Sequence, residues 1–347
     1  MMKIYSKLLT LMLVLSSVSV AYAQEESFSA DGFECKIIAN DAVEITGATT
    51  PATGTLIIPA TIGNYTVTAI GDGAFKTLAI TELDCSAATG LQRIGESAFA
   101  DCSQLTTVKF PALENSSLTE IGALAFQHDT ALSSINLQDT RIKVLEALFT
   151  KDMYDEVYFD DLTELSLPET LKEIKSYAMQ FLGLRSITIP SSVKAFGEGV
   201  LEGTIYLEEF YWKGAKVNSL PKSTFRGEDA LKVVYFLTNK PIERGGLSDL
   251  HFFMCHKDQL NVYVTQESYD NLIPYADGFG NALYSTLVAV TDWEPDPEDP
   301  DDPDDPSAIA APRMIPADGC IYTLQGVRVN QPRKGQLYIQ NGKKYVK

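Results

Sequence analysis

The stretch IGESAFADCSQLTTVKFP, residues 94–111, contains two different periodicities within one short segment. It begins with a compact phrase that carries the apolar pair Ala98-Phe99, and it ends as a phrase in which apolar and polar residues alternate. Such alternation is typical of a β-strand with one buried face. Pro111 closes the strand, because proline has no N–H to donate to a neighbouring strand. A strand that ends after so few residues predicts a small structural unit, which can bury its apolar side only against neighbouring units.

Both phrases recur along the chain, which indicates a repeat protein with a unit of about 24 residues. The copies of the compact phrase are IGDGAF (70–75), IGESAF (94–99), IGALAF (121–126) and IKSYAM (174–179), with weaker copies VLEALF (144–149), FGEGVL (196–201) and LPKSTF (220–225). The copies of the strand phrase are ITELDC (80–85), LTTVKF (105–110), LSSINL (132–137), LTELSL (162–167), LRSITI (184–189), LEEFYW (207–212) and LKVVYF (231–236). A linking fragment such as LQRI (91–94) completes each unit.

These units predict a solenoid in which each repeat is one winding. A single winding cannot cover its own apolar side, but a neighbour stacked about 4.8 Å away can. The strand phrases of successive windings then form a parallel sheet, and the Ala-Phe pairs form a ladder on the opposite wall as short helical turns. The predicted fold class is therefore an α/β repeat solenoid of short parallel strands and short helical turns, with a β-hairpin N-terminal cap and a small C-terminal β module.

The segments that flank the repeats differ from them in composition. Residues 1–23 combine two lysines, an apolar run and the small residues AYA, the order of a secretory signal peptide cleaved after Ala23. We therefore expect a secreted, extracellular protein, either free or held at the cell surface. The other predicted boundaries are a β cap at 24–65, about seven windings at 66–255, a C-terminal cap at 256–291, an Asp/Pro-rich linker at 292–307 and a β module at 308–347 that is a candidate for sorting or anchoring.

Charge and cysteine content exclude several classes of protein. The formal net charge of -18 disfavours nucleic acid and anionic membrane as partners. No stretch after the first 23 residues is long and apolar enough to span a bilayer, and we expect a monomer without a membrane span.

The five cysteines are too sparse for a disulfide framework. Cys85 and Cys102 occupy apolar positions of the repeat, which predicts buried thiols, although a bridge between some pair is the alternative.

The phrases IGDGAF, IGESAFADC, LTELSLPETLKEI and LRSITIPSSVKAF resemble the BspA-like leucine-rich repeat family over most of residues 30–285. This resemblance implies a curved leucine-rich repeat solenoid on the surface of a bacterial cell, without a catalytic role. In characterised members it also implies adhesion to host matrix proteins or to other cells. The predicted function is therefore recognition of a host or cell-surface protein or glycan. The alternative is a structural or assembly component of the cell envelope without a soluble ligand.

The sequence offers no pattern that points to an enzyme or to a cofactor. His251, Cys255 and His256 in HFFMCH would supply three zinc ligands, but no fourth ligand is evident, and a capped end of the solenoid is the preferred interpretation. His128 is predicted to be a surface residue. The serine of GESAF, Ser97, lacks the strand-to-helix elbow of an acyl-transfer nucleophile, and no pair of carboxylates is singled out for acid–base chemistry. We therefore expect no catalytic residue, no bound metal and no cofactor.

The outward positions of the strand phrases supply the candidate binding residues. A parallel sheet is normally covered on both faces, so an open one in a repeat protein is a candidate binding surface. Its outward residues change from small and polar to aromatic toward the C-terminal end. The candidates are Tyr211, Val233 and Tyr235, with Tyr206 and Glu209 at the margin. The alternative is that these aromatic residues pack beneath the C-terminal cap. If they bind a partner, replacing Tyr211 and Tyr235 by serine should remove binding with little loss of stability.

Overall fold

A computed structural model describes residues 26–150, 157–213, 221, 224–225, 230–238, 260–272, 286–291, 321–322, 337–340 and 343–346. The predicted signal peptide, the Asp/Pro-rich linker and the HFFMCH segment lie outside these residues. The strands, in chain order, are β1 (Ser27–Ala30), β2 (Phe33–Ala39), β3 (Ala42–Ala48), β4 (Thr53–Ile57), β5 (Thr61–Ile62), β6 (Tyr65–Ile70), β7 (Ala79–Asp84), β8 (Arg93–Ile94), β9 (Thr107–Lys109), β10 (Glu120–Ile121), β11 (Ser134–Asn136), β12 (Val144–Leu145), β13 (Glu164–Ser166), β14 (Glu173–Ile174), β15 (Ser186–Ile189), β16 (Ala195–Phe196), β17 (Glu209–Trp212), β18 (Val233–Phe236), β19 (Asn261–Thr265), β20 (Thr286–Val290), β21 (Ile321–Tyr322), β22 (Leu337–Gln340) and β23 (Lys343–Val346). Within these described ranges, the helical elements are α1 (Gln266–Leu272) and the 3-10 turns Leu113–Asn115 and Leu137–Asp139.

The predicted strand phrases form the first wall of a solenoid. They make two five-stranded parallel sheets, ordered β13-β11-β9-β7-β4 and β15-β17-β18-β19-β20. The pairing of Ser134 with Glu164 confirms that the irregular fourth unit contributes LTELSL as its strand. Because each strand pairs with the strand of the next winding, residues of one phase in the repeat line up along the solenoid.

The linking fragments form the second wall as very short parallel strands. Ile70 pairs with Ile94, and Ile94 pairs with Ile121, so this wall has the same winding period as the first. Strands β12, β14 and β16 continue the pattern as a separate three-stranded sheet. At the N-terminal end, β2 and β3 form an antiparallel hairpin, and β3 pairs in parallel with β6.

The compact phrases form the third wall, and here the structure differs from the expected helical turns. Alternate backbone N–H groups donate to the next winding: Phe75 N–H to the Ala98 carbonyl at 2.8 Å, and Phe99 N–H to the Ala125 carbonyl at 2.9 Å. A group that donates between windings is not available for the i to i−4 bond of an α-helix. The turns are therefore joined to one another by a ladder of hydrogen bonds, and the solenoid is β rather than α/β in these windings.

Left-handed backbone makes this ladder possible. The residue two before the closing aromatic has a positive φ in each of several windings, as at Ser97 (φ 54) and Leu124 (φ 59). Gly73 and Gly199 hold the same position with φ 61. Residues with a side chain are strained in this region, whereas glycine is not. Several windings therefore tolerate local strain in return for hydrogen bonds to their neighbours.

The predicted aromatic ladder is confirmed in one continuous core. Phe75 stacks on Phe99 with ring centroids 5.5 Å apart, and Phe99 stacks on Phe126 at 5.7 Å. Phe225, from a later winding, belongs to the same cluster of buried residues. A stack of this kind requires neighbouring windings to be present together, because each ring covers the next.

The C-terminal elements follow the last repeat strands. β19 leads directly into α1, and β20 then pairs in parallel with β19. Strands β21, β22 and β23 form a separate antiparallel sheet of three strands. In the part of the chain that the structure describes, no helix is long and apolar enough to cross a membrane.

Candidate binding surface

Three tyrosines form a row on the outer face of the C-terminal sheet. The register pairs Tyr211 with Tyr235 and Tyr235 with Tyr263. Side chains alternate along a strand, so the neighbours of each tyrosine point inward, and Phe210 and Trp212 are fully buried on either side of Tyr211. We call Tyr211, Tyr235 and Tyr263 the tyrosine stripe. All three side chains are partly exposed.

The rings of the tyrosine stripe stack face to face along the solenoid. The ring centroids of Tyr211 and Tyr235 lie 4.6 Å apart with planes inclined by 5°, and those of Tyr235 and Tyr263 lie 4.5 Å apart at 18°. Both faces of the Tyr235 ring are therefore covered by its neighbours. The stripe presents ring edges to a ligand rather than a flat aromatic platform.

Burial raises the pKa of two hydroxyls of the stripe, those of Tyr211 and Tyr235. It is the largest cause that raises the pKa of Tyr211, and the hydrogen bond from its hydroxyl to Glu209 Oε2, at 2.5 Å, raises that pKa further. Burial also raises the pKa of Tyr235 to about 12, with the charges of Tyr263 and Glu209 adding to the effect. A neutral phenol both donates and accepts hydrogen bonds. At Tyr211 and Tyr235 the stripe therefore combines apolar ring edges with neutral polar groups.

The predicted candidates fall into two sets. Glu209 and Val233 are paired in register, so they form a second outward row beside the tyrosine stripe together with Asn261. The structure thus brings Tyr211, Tyr235, Glu209 and Val233 together on one face. Tyr206 lies apart from these rows in the turn before β17, where it and Ile205 are exposed, with 39% and 43% of their surface accessible.

Tyr263 is the residue of this surface that the sequence analysis missed. The segment LNVYV (260–264) was assigned to the C-terminal cap, but β19 continues the repeat sheet. The available signal was the alternation Val262-Tyr263-Val264, in which both valines are buried and the tyrosine between them faces outward. Much of the predicted C-terminal cap lies outside the described residues, so packing of the tyrosines beneath it stays the alternative prediction.

The stacking also corrects the expected effect of serine substitutions. Aromatic pairs contribute about 0.5–1.5 kcal/mol each beyond the burial of their surface. Tyr235 takes part in two such pairs. Replacing it by serine should therefore lower stability measurably, and the earlier expectation of little loss does not fit this geometry.

The other half of the same face is polar and bears no aromatic row. Lys109 pairs with Glu82 at 2.5 Å, and Thr55 donates to the same carboxylate at 3.3 Å. Exposed ion pairs of this kind contribute little free energy. The aromatic character is therefore confined to the last windings, which makes them the candidate site.

Three thiols and one histidine of the repeats can be described, whereas the candidate metal ligands His251, Cys255 and His256 lie outside the described residues. Cys35, Cys85 and Cys102 are free and buried, so the predicted burial of Cys85 and Cys102 is confirmed. Burial raises the pKa of Cys85, and it raises the pKa of Cys102 to about 12, so both stay protonated. His128 is partly exposed, with Nδ1 2.8 Å from Asp101 Oδ1. Among the residues placed by the structure, no group of three or more His, Cys, Asp or Glu side chains could hold a metal ion.

A three-walled solenoid with a repeating strand and one outward sheet face is the architecture of a repeat protein with leucine-rich units. A family model described as the BspA type leucine-rich repeat region matches the chain in six copies, over residues 58–155 and 155–246. These matches span more than half of the sequence. The chain belongs to the BspA-type leucine-rich repeat family.

Solved structures resemble the chain at low sequence identity. A leucine-rich cell surface protein from Faecalibacterium prausnitzii is 18% identical, with 69% of this chain and 73% of that one covered and a TM-score of 0.40. A leucine-rich repeat protein from T. pallidum is 18% identical, with 77% of this chain and 100% of that one covered and a TM-score of 0.39. The pneumococcal vaccine antigen PcpA is 15% identical, with 77% of this chain and 99% of that one covered and a TM-score of 0.32. Comparison with curated proteins gives no significant match. Family membership therefore rests on the repeats.

Proposed function

We propose that the protein is an exported binding protein of the bacterial cell surface. Its ligand would be a protein or glycan of a host matrix or of another cell, and the tyrosine stripe with its neighbouring row would contact it. The observation that supports this proposal is the partly exposed aromatic row on the outer face of a parallel sheet, a face that is normally covered. Tyrosine is favoured in recognition, because its large ring loses little conformational entropy when it is ordered.

Binding of the chain from Gln24 to Lys347 to purified matrix proteins and a glycan array tests this proposal. We expect at least one component to bind, and the Tyr211→Ser/Tyr235→Ser variant to bind it at least ~10-fold more weakly. The matched control is Ser134→Ala/Glu164→Gln, which changes two outward positions on the polar half of the same face. The control should bind like the unaltered chain.

A second variant separates loss of the site from loss of stability. Val233 lies in the row beside the stripe and is not part of the ring stack, so Val233→Arg changes the surface without unstacking the tyrosines. It should weaken binding while circular dichroism and the melting temperature stay close to those of the unaltered chain. If neither variant changes binding, the stripe is not the site. If nothing on either panel binds, the alternative of an envelope component is favoured.

Export and retention are tested separately from binding. N-terminal sequencing of the protein recovered from the producing cells should begin at Gln24, and a retained Met1 would contradict cleavage after Ala23. Cell fractionation with and without residues 308–347 tests the C-terminal module. An unchanged location after the deletion would dismiss sorting or anchoring by that segment.

A further inference from the structure

The second wall of the solenoid is interrupted between its third and fourth windings. β10 pairs with β8 and β12 pairs with β14, but β10 and β12 do not pair, although residues 26–150 are described without a gap. In the two windings before the interruption, the carbonyls of Ile70 and Ile94 each accept an N–H from the next winding at 2.8 Å. The Ile121 carbonyl has no such partner among the described residues.

The third and fourth windings stay joined on either side of this interruption. The Arg141 N–H donates to the Leu118 carbonyl at 2.7 Å, and the Leu124 N–H donates to the Ala147 carbonyl at 2.7 Å. These bonds hold the two windings at about one strand spacing, roughly 4.8 Å, at both ends of the gap. The interruption therefore suits an inserted side chain better than an added strand.

A cavity of about 520 Å³ lies at the interruption. This volume is within the range of roughly 300–1,000 Å³ that is usual for ligand sites. Four carboxylates and two cationic groups line the cavity, so the formal charge of its lining is -2. The charged residues are Asp72, Glu96, Glu120 and Glu146, together with Arg93 and Lys143. The excess of carboxylates favours a cationic ligand that donates hydrogen bonds.

Arg93 shows how this wall holds a guanidinium group. Its Nη2 lies 2.5 Å from Asp72 Oδ1, and its Nε lies 3.1 Å from Glu120 Oε1. Asp72 belongs to the winding before Arg93, and Glu120 belongs to the winding after it. One planar fork of donors therefore joins carboxylates from both neighbouring windings, which a compact ammonium group does less well.

The next winding repeats the carboxylate without the arginine. Glu96 is the second residue after Ile94, as Asp72 is after Ile70, and Glu120 pairs in register with Arg93. Two acidic residues therefore occupy the places that Asp72 and Arg93 hold one winding earlier. Glu96 is exposed, and in the described part of the chain its carboxylate has no hydrogen bond or ion pair. A guanidinium from outside could serve Glu96 as Arg93 serves Asp72.

We infer that this cavity binds the arginine side chain of a partner protein, with the guanidinium held by Glu96, Glu146 and the Ile121 carbonyl. A guanidinium has five N–H donors and no acceptor, which matches these three acceptors. The site lies on the second wall, whereas the tyrosine stripe lies on the first, so the inference does not rest on the proposed function. Lys143 lines the same cavity and opposes a cationic ligand.

Titration of the chain from Gln24 to Lys347 with an end-blocked pentapeptide, one arginine between two pairs of glycines, tests this inference by ligand-observed NMR. We expect saturable binding that weakens with added salt and is absent when neutral citrulline replaces the arginine. Glu96→Gln should weaken binding about 10-fold, because it removes a charged hydrogen-bond acceptor. Lys143→Gln should strengthen binding about 3-fold, because it removes a repelling charge. The control Glu164→Gln, the same charge change at an exposed position of β13, should leave the affinity unchanged.

The opposite signs of the two variants separate the site from folding, because a destabilised protein does not gain affinity. The inference is wrong if the arginine peptide does not bind or if the citrulline peptide binds equally well. Equal binding of a lysine peptide would overturn the assignment to a guanidinium. Unchanged affinity in both Glu96→Gln and Lys143→Gln would overturn the assignment to this cavity. Tyr211→Ser/Tyr235→Ser should bind the arginine peptide normally, so failure here and failure of the proposed function are distinguishable.

Discussion

Replacing Asp129 by asparagine should stabilise the protein at neutral pH. Asp129 is fully buried, and neither of its carboxyl oxygens has a hydrogen-bond partner among the described residues. Burial raises its pKa to about 8, and the negative charge of Asp101 adds to this effect. The Cys102 N–H, which donates to the Phe99 carbonyl at 3.2 Å, offsets part of it through its dipole and not through a hydrogen bond to the carboxyl group. The folded protein therefore favours the neutral acid at this position.

The repeat explains why a neutral donor is favoured there. Asp129 is the third residue after Phe126, as Cys102 is after Phe99 and Thr204 is after Leu201. The Cys102 thiol donates to the Phe75 carbonyl at 3.2 Å, and the Thr204 hydroxyl donates to the Met179 carbonyl at 3.1 Å. The corresponding carbonyl for Asp129 belongs to Phe99. A carboxylate cannot donate to it, whereas a carboxylic acid or an amide can.

The sign and size of the effect follow from the two pKa values. An unfolded aspartate has a pKa of about 3.9. Because the folded value is higher, the stabilising contribution is complete below about pH 4 and is lost as the pH rises from there toward 8. Each pH unit in that window changes the free energy of unfolding by about 1.36 kcal/mol, so about 2.7 kcal/mol is lost between pH 5 and pH 7. The amide of asparagine does not titrate and escapes this loss.

Urea unfolding at a series of pH values from 4 to 8, followed by circular dichroism, measures this difference. Asp129→Asn should match the unaltered chain near pH 4 and exceed its stability increasingly toward pH 8. Asp101, His128 and Lys76 lie near one another and are present in both proteins, so the two proteins differ only in the group at position 129. Asp161→Asn, at an exposed position, is the control and should follow the unaltered chain. Parallel profiles for Asp129→Asn and the unaltered chain would refute the reasoning.

Three further predictions follow from the core, the turns and the stripe. Phe99→Ala should lower the free energy of unfolding by about 3–5 kcal/mol in chemical denaturation, because its ring is stacked on both sides; a loss below 1 kcal/mol would contradict the shared core. Ser97→Gly should raise stability by about 1 kcal/mol by relieving the positive φ, and Ser97→Ala should not. Tyr235→Phe should keep the melting temperature within a few degrees, whereas Tyr235→Ser should lower it, since only the phenylalanine preserves both stacked pairs.

The sequence predicts the strands better than the turns, for a physical reason. In LTTVKF the apolar positions indicate which side of the strand is buried, and burial of that side is also what stabilises the strand. The third wall is different. Its N–H groups bond to the next winding, and backbone bonds of this kind leave no mark on the pattern of apolar side chains. The phrase around Ala98-Phe99 therefore suggests a helical turn even though its hydrogen bonds run between windings.

The candidate surface is predicted in part. Tyr211 and Tyr235 occupy the same phase of two clear repeats, so their common face follows from the sequence alone. Tyr263 does not follow in this way, because a count that begins at Leu260 assigns it to the inner face. The register instead pairs Asn261 with Val233, which shifts the strand by one residue and turns Tyr263 outward. A shift of one residue is enough to move every side chain to the other side of a strand.

The hydrogen-bond ladder of the third wall aligns peptide dipoles along the axis of the solenoid. In the Ala98-Phe99 peptide the carbonyl accepts from the preceding winding and the N–H donates to the following one, and the Glu96-Ser97 and Ala100-Asp101 peptides are oriented alike. Each peptide carries a dipole of about 3.5 D, and aligned dipoles add head to tail. The peptides of successive windings therefore sum to a field that is positive toward the C-terminal end. The two ends of the described ladder are therefore not equivalent to an approaching ion.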